Sequence, residues 1–376
     1  MTADDPIYLD HNATTPVLHE VVDAMLPFLR EHFGNPSSGH VYGRRSQRAI
    51  DEARGQVAGL LGCHADEVVF TSGGTEANNI AIRGAVAASG RRHVITSVVE
   101  HPATERPCQH LERQGTRVTR VGVDAAGAAR LDEAEAALSE DTALVTLMHA
   151  NNETGTLQPV AELSPAARDC GALLHSDAAQ SVGKVPTRVE DLGVDLLSVA
   201  GHKLYAPKGV GALYVRRQTP LHPVLLGAGH EGGLRPGTEN VAYIAGLGRA
   251  CQLAAAGLAA EAARVRRLRD RLWEALRAAV PDLQLNGHPE RRLPNTLNVR
   301  FPGVAGSAVL AGAPAIAAST GSACHEGAER ASAVLTAMGL GQAEALGSVR
   351  LSLGRHTTEE QVDHAAAALV AAFTAL

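Results

Sequence analysis

Leu196-Leu197-Ser198-Val199-Ala200-Gly201-His202-Lys203-Leu204-Tyr205-Ala206-Pro207-Lys208-Gly209 reads as an apolar strand that runs out into a lysine and then a Pro/Gly turn. The chain has 376 residues and 34 lysines and arginines, yet lysine occurs only at positions 184, 203 and 208. An amine nucleophile would therefore be Lys184, Lys203 or Lys208. Lys203 stands just past a buried strand end, beside His202 and between Gly201 and Pro207, where loss of solvation lowers the pKa as Schiff-base lysines require. The same spacing equally suits a surface lysine at a strand end.

Outward from this strand the pattern is regular. Strand-like runs at 68–71, 93–99, 117–123, 143–150, 172–178, 196–200 and 211–215 alternate with helical segments such as 75–88, 131–138 and 160–170. They predict an α/β fold, a mostly parallel sheet of the seven-stranded type with helices on both faces. Sites in such sheets lie at the carboxyl ends of the strands, where Thr71, Asn151, Asp177 and Lys203 fall. Before the sheet, apolar spacing predicts helices over 18–32 and 45–61, the second stopped by Gly62. After Gly237 an Ala/Leu/Arg-rich helical region covers 238–280, with a break expected near Gly257. Short strands at 297–301 and 349–353 and a terminal helix over 359–376 complete a smaller α+β domain. The expected division is 15–257 for the large domain, with 1–14 and 258–376 forming the small one.

Composition narrows the function. A hydrophobic share of 45%, a charged share of 20% and a net charge of -6 without a basic stripe describe a globular protein rather than a nucleic-acid binder. Aromatics at 3% supply no base-stacking surface. Asp4, Asp5 and Asp10 precede any apolar run, and the Ala/Gly-rich stretch 304–318 is too short to span a bilayer, so the expectation is a cytoplasmic protein with no membrane partner. Cys63, Cys108, Cys170, Cys251 and Cys324 are odd in number, widely spaced and contain no C-x-x-C pair; they indicate neither a disulfide framework nor a metal site.

Four places carry chemistry. Thr71-Ser72-Gly73-Gly74-Thr75-Glu76 joins a strand to a helix, and its glycines and free helix N–H groups suit a phosphate, although a Ser/Thr cap followed by Glu also starts ordinary helices. Asp177 in His175-Ser176-Asp177-Ala178-Ala179-Gln180 ends an apolar strand, where a carboxylate calls for a cation such as the pyridinium of pyridoxal phosphate; a helix-capping role is the alternative. His101 in Glu100-His101-Pro102 is notable only for its place at a strand end. Cys324 lies among small residues in Gly321-Ser322-Ala323-Cys324-His325, where His325 would favour a thiolate, whereas most free cysteines are buried and inert.

Taken in order, these elements resemble the cysteine desulfurases of the NifS/IscS type, in the class V aminotransferase group of fold-type I pyridoxal-phosphate enzymes. The resemblance runs nearly end to end. It also includes Tyr8-Leu9-Asp10-His11-Asn12-Ala13-Thr14-Thr15-Pro16, Met148-His149-Ala150-Asn151-Asn152-Glu153-Thr154-Gly155, Arg235-Pro236-Gly237-Thr238-Glu239-Asn240 and Val349-Arg350-Leu351-Ser352-Leu353-Gly354-Arg355. It implies that Lys203 forms the Schiff base with pyridoxal 5'-phosphate and moves the substrate α-proton. It further implies that Gly74, Thr75, His202 and Thr238 hold the phosphate, Thr238 reaching across from the other subunit of a homodimer. Asp177 would pair with the ring nitrogen, Gln180 with the ring hydroxyl, and His101 would stack on the ring; Asn152 and Arg350 would hold the substrate. The implied reaction converts L-cysteine to L-alanine and leaves a persulfide on Cys324, for transfer to an iron-sulfur scaffold or a sulfur-carrier protein.

Three departures stand out. Ala200 occupies a position where the family usually has a phosphate-donating serine, Gly232 replaces a common arginine, and His325-Glu326 replace small hydroxyl residues. A selenocysteine lyase or another class V aminotransferase, for which Cys324 is dispensable, and a non-catalytic platform for iron-sulfur assembly are the alternative readings.

Overall fold

The computed structural model describes residues 5–320 and 330–376. Its strands in chain order are β1 (Ile7–Tyr8), β2 (Val68–Thr71), β3 (His93–Ser97), β4 (Arg117–Val121), β5 (Thr142–Met148) and β6 (Leu173–Asp177). They continue with β7 (Leu196–Ala200), β8 (Gly211–Val215), β9 (Gln284–Asn286), β10 (Thr296–Arg300), β11 (Ile316–Ala317) and β12 (Ser348–Ser352). β2 to β8 form a seven-stranded sheet in the order β2-β8-β7-β6-β5-β3-β4, with β8 alone running against its neighbours. β5 and β7 are buried along their whole length, as continuous Val/Leu/Ala runs require when a parallel sheet is covered on both faces. One face packs Leu144, Leu196 and Leu213 against Ala77, Ile80 and Ala81 of the helix Gly74–Ser89. The opposite face packs Val145, Leu174 and Leu197 with Val160 and Leu163 of the helix Val160–Asp169, in a core that extends to the helices His19–Arg30 and Val41–Leu61.

Local signals set the element ends. The second N-terminal helix starts at Val41 rather than near position 45 because His40 caps it, Nδ1 accepting from Gly43 N at 3.3 Å. It stops at Gly62, whose φ of 70° is the left-handed conformation that glycine adopts at little cost. The expected break near Gly257 is absent: one helix runs from Val241 to Ala279. A glycine inside a helix costs about 1 kcal/mol, and the surrounding alanines together with packing along both halves outweigh it. Ile244, Leu247 and Cys251 enter the core of the large sheet, whereas Val265, Leu268, Leu272 and Leu276 enter a second core built on β10, β12 and the helix Glu359–Thr374. This helix is long and apolar enough to cross a membrane by composition, but those apolar residues are committed to protein cores.

β9, β10 and β12 form a small antiparallel sheet, and β1 pairs with β11. The segment after β1 then crosses to the large sheet. His11 N donates to Ser352 O at 3.2 Å and Thr15 N to His202 O at 2.9 Å, so Asn12 is held between the two sheets.

Candidate active site

The ends of β5, β6 and β7, the turn after β2, the turn before the helix Pro102–Arg113, the Asn12 segment and β12 meet around a cleft of about 370 Å³. Ten of the residues expected at the site line it: Gly74, Thr75, His101, Asn152, Asp177, Gln180, Ala200, His202, Lys203 and Arg350. Strand ends provide this convergence because parallel strands all point their last residues to the same edge.

Lys203 follows β7 through a single tight turn, Gly201–Lys203. Its Nζ donates to the carbonyls of Asn12 (2.5 Å) and Ala13 (2.6 Å). Burial lowers its pKa to about 8; Arg350 pushes in the same direction, and Asp10 and Asp177 oppose it. Asp177 Oδ2 accepts from Asn78 Nδ2 at 2.7 Å and Oδ1 from Ala179 N at 3.0 Å. Both hydrogen-bond partners are neutral, and among the described residues no cation pairs directly with this buried carboxylate, an arrangement in the cleft that suits a positively charged ring nitrogen.

His101 caps the helix Pro102–Arg113, its Nδ1 accepting from Ala103 N at 3.1 Å, which leaves the proton of the neutral ring on Nε2. Desolvation lowers its pKa, with Lys203 adding to the effect and Asp177 countering it. Burial and then Lys203, Lys208 and Lys184 lower His202 to about 4, and its Nδ1 lies 3.2 Å from Thr14 Oγ1. The helix Gly74–Ser89 opens without a side-chain cap at Gly73, whose φ of 150° and ψ of -179° belong to a region that glycine alone occupies readily. Its first N–H groups and Thr75 therefore form an uncapped anion cradle, beside which the Ala200 methyl group offers no donor.

Arg350, nearly buried, donates from Nη2 to Asp10 Oδ1 at 2.6 Å and from Nη1 to Asn152 O at 3.1 Å, while its buried Nε has no hydrogen-bond partner among the described residues. Each Nη keeps a second hydrogen and Arg350 lines the cleft, so the guanidinium can also donate to a carboxylate there. Asn151, by contrast, turns inward: its Oδ1 accepts from Glu153 N and Thr154 N, and it shapes the loop rather than the cleft.

Thr238 is exposed and does not line this cleft. Cys324, His325 and Glu326 lie outside the described residues. The flanks of their segment are tied beside the site, Arg350 N donating to Ser319 O at 2.6 Å and Ser332 Oγ to Glu153 Oε2 at 2.5 Å. The other four cysteines are free, and burial pushes Cys63, Cys108 and Cys251 up to about 12, which leaves them unreactive.

Sequence reasoning missed the hub. Asn12 O accepts from Lys203 Nζ and from Gln180 Nε2 (2.9 Å), and Asn12 Oδ1 accepts from Lys184 Nζ (3.3 Å) and Asn295 Nδ2 (3.0 Å). Asn78, the clamp on Asp177, was missed as well. Neither has a signal in spacing or periodicity, since an asparagine in a polar turn or on a helix face looks ordinary.

The family model for aminotransferase class-V matches residues 7–364. The protein named Cysteine desulfurase 2 of Trichormus variabilis is 49% identical over 360 residues, which span 95% of this chain and 90% of that one. A solved structure described as a NifS-like protein superposes with a TM-score of 0.92 at 36% identity, covering 99% of this chain and 100% of that chain. A structure described as SspA in complex with cysteine gives a TM-score of 0.82 at 36% identity over 93% of this chain and 99% of that chain.

Proposed function

The chain belongs to the class-V aminotransferases and, within them, to the cysteine desulfurases, and from that membership we propose that it is a cytoplasmic enzyme using pyridoxal 5'-phosphate to convert L-cysteine to L-alanine. The observation that carries the reading is the Lys203 amine, lowered to about 8, in one cleft with Asp177, which is clamped by the neutral Asn78, and an uncapped helix N-terminus. That donor set fits the cofactor. When bound, the cofactor supplies an electron sink for a carbanion at the substrate α-carbon.

The chain's own residues do the rest. Gly74, Thr75 and His202 would hold the phosphate, Asp177 would keep a positive charge on the ring nitrogen, and His101 would cover a ring face. Arg350, with Asn152 beside it, would take the substrate carboxylate and turn the α-hydrogen toward Lys203, whose amine moves that proton. Cys324 would attack the substrate sulfur, forming an S–S bond as the Cβ–S bond breaks, and pass the sulfur to a scaffold or carrier protein. Thr238, exposed and away from its own cleft, supports a homodimer in which each copy completes the other's phosphate site.

The direct test is to mix purified, cofactor-loaded protein with L-cysteine and a reductant. Equal yields of alanine and sulfide are expected; alanine without an essential Cys324, or no product from a colourless protein, would refute the reading.

The lysine pKa makes a separate prediction. With a pKa near 8 roughly a tenth of the amine is neutral at pH 7 and three quarters at pH 8.5, so cofactor capture by the apo-protein should quicken about eightfold across that interval and then level off. A rate that climbs tenfold per unit to pH 10 would mark an ordinary lysine.

Ala200 predicts a loose phosphate. Ser198, two positions earlier, cannot supply the missing hydroxyl because its Oγ lies 3.0 Å from His175 Nε2 in the core. A hydrogen bond to a charged group contributes about 1.5–3 kcal/mol, ten- to a hundredfold in affinity. Ala200→Ser should therefore tighten the cofactor by at least about tenfold in apo-protein titrations while leaving turnover at saturation unchanged, since the contact is equal in ground and transition states. Equal affinity would show that another donor already serves the phosphate.

A further inference from the structure

Lys184 does not line the cleft, yet its amine points into the protein behind the cleft wall. Its Nζ donates to Gln180 Oε1 at 3.0 Å and to Asn12 Oδ1 at 3.3 Å. Among the described residues it has no carboxylate partner, and the charges around it, Lys203 and Arg350, are both positive. A buried amine in such company is costly, and an apolar residue of the same length would serve packing better. Something must use it.

The amide of Gln180 is held at both ends. Lys184 sits on its oxygen, and its nitrogen donates to Asn12 O at 2.9 Å, the same carbonyl that receives Lys203 Nζ at 2.5 Å. The Asn12 side chain is fixed in turn, Nδ2 donating to Thr296 Oγ1 (2.9 Å) and Asn152 O (3.2 Å). Gln180 Nε2 has two hydrogens and only one is used in this way. Among the described residues the other has no acceptor, and Gln180 lines the cleft.

On the reading of this cleft as a pyridoxal-phosphate site, we propose that Lys184 is a positioning residue that holds and polarises the Gln180 amide, so that the second Nε2 hydrogen is donated to an oxyanion on the cofactor ring. A positive charge on an amide oxygen draws electron density from the nitrogen and strengthens its N–H as a donor. Burial lowers Lys184 to about 7, and the neutral amine keeps two hydrogens for its two acceptors, so the clamp outlasts its charge. The groups facing Lys184 are Lys203, Arg350, His11 and His202; those acting on Lys203 in the cleft are Arg350, Asp10, Asp177 and His101.

A donor on the ring oxygen stabilises its anion and lowers the pH at which the bound cofactor's visible absorption titrates. In the loaded enzyme, Lys184→Met should raise that midpoint by about one unit and weaken cofactor binding about tenfold, and Lys184→Arg should restore most of both. Lys184→Gln, which keeps a donor without the charge and serves if the methionine variant does not fold, should raise the midpoint by about half a unit. In a Gln180→Leu background, adding Lys184→Met should change nothing further. An unmoved midpoint in Lys184→Met or Lys184→Gln overturns the proposal, as does an undiminished shift in the Gln180→Leu background, which would reveal a direct charge effect. Wild-type protein that gains no visible absorption with the cofactor would instead refute the cofactor reading itself.

Discussion

Lys203→Ala is expected to abolish alanine formation from L-cysteine, with a loss of at least about 10⁴-fold, because the variant loses both the covalent anchor and the group that moves the proton. No other amine can replace it. Lys184 Nζ is engaged behind Gln180, and Lys208 is exposed and does not line the cleft. Borohydride reduction of the loaded wild-type protein followed by peptide mapping should find the cofactor on Lys203 alone. A label on Lys184 or Lys208, or more than about one per cent of activity in the alanine variant, would overturn the assignment.

The second large effect separates cofactor chemistry from sulfur transfer. Cys324→Ala should still change the visible spectrum when L-cysteine is added, since Lys203, Asp177 and Arg350 are untouched, yet release sulfide roughly a thousandfold or more slowly. Wild-type protein sampled during turnover should carry one extra sulfur atom on the Cys324 peptide, and the variant none. Near-normal sulfide release by the variant would remove Cys324 from the reaction. Near-normal activity on L-selenocysteine alone would make the protein a lyase.

Much of this was legible in the residue order because it is local. Val68–Thr71, Leu196–Ala200 and Gly211–Val215 end where their apolar runs end, and the Gly62 stop is a property of one backbone conformation. Strand ends carrying Asp177 and Lys203 beside a glycine-opened helix likewise follow from patterns a few residues long. Motif order then extended the reading to Arg350, Asn152 and Gln180, which periodicity alone does not single out.

The sequence by itself thus determined the strands of the large sheet, the α/β class and which residues could do chemistry. The tertiary structure decided the rest: that β8 runs against its neighbours, that the helix Val241–Ala279 passes Gly257 unbroken, and that the Lys184 amine turns inward. It also made Asn12 the point where Lys203, Gln180, Lys184 and Asn295 meet. The physical reason is range. Helix and strand propensity act over a few residues, whereas the cost of an unpaired buried polar group is relieved by whichever partner the packed cores bring near, and here those partners lie far apart along the chain.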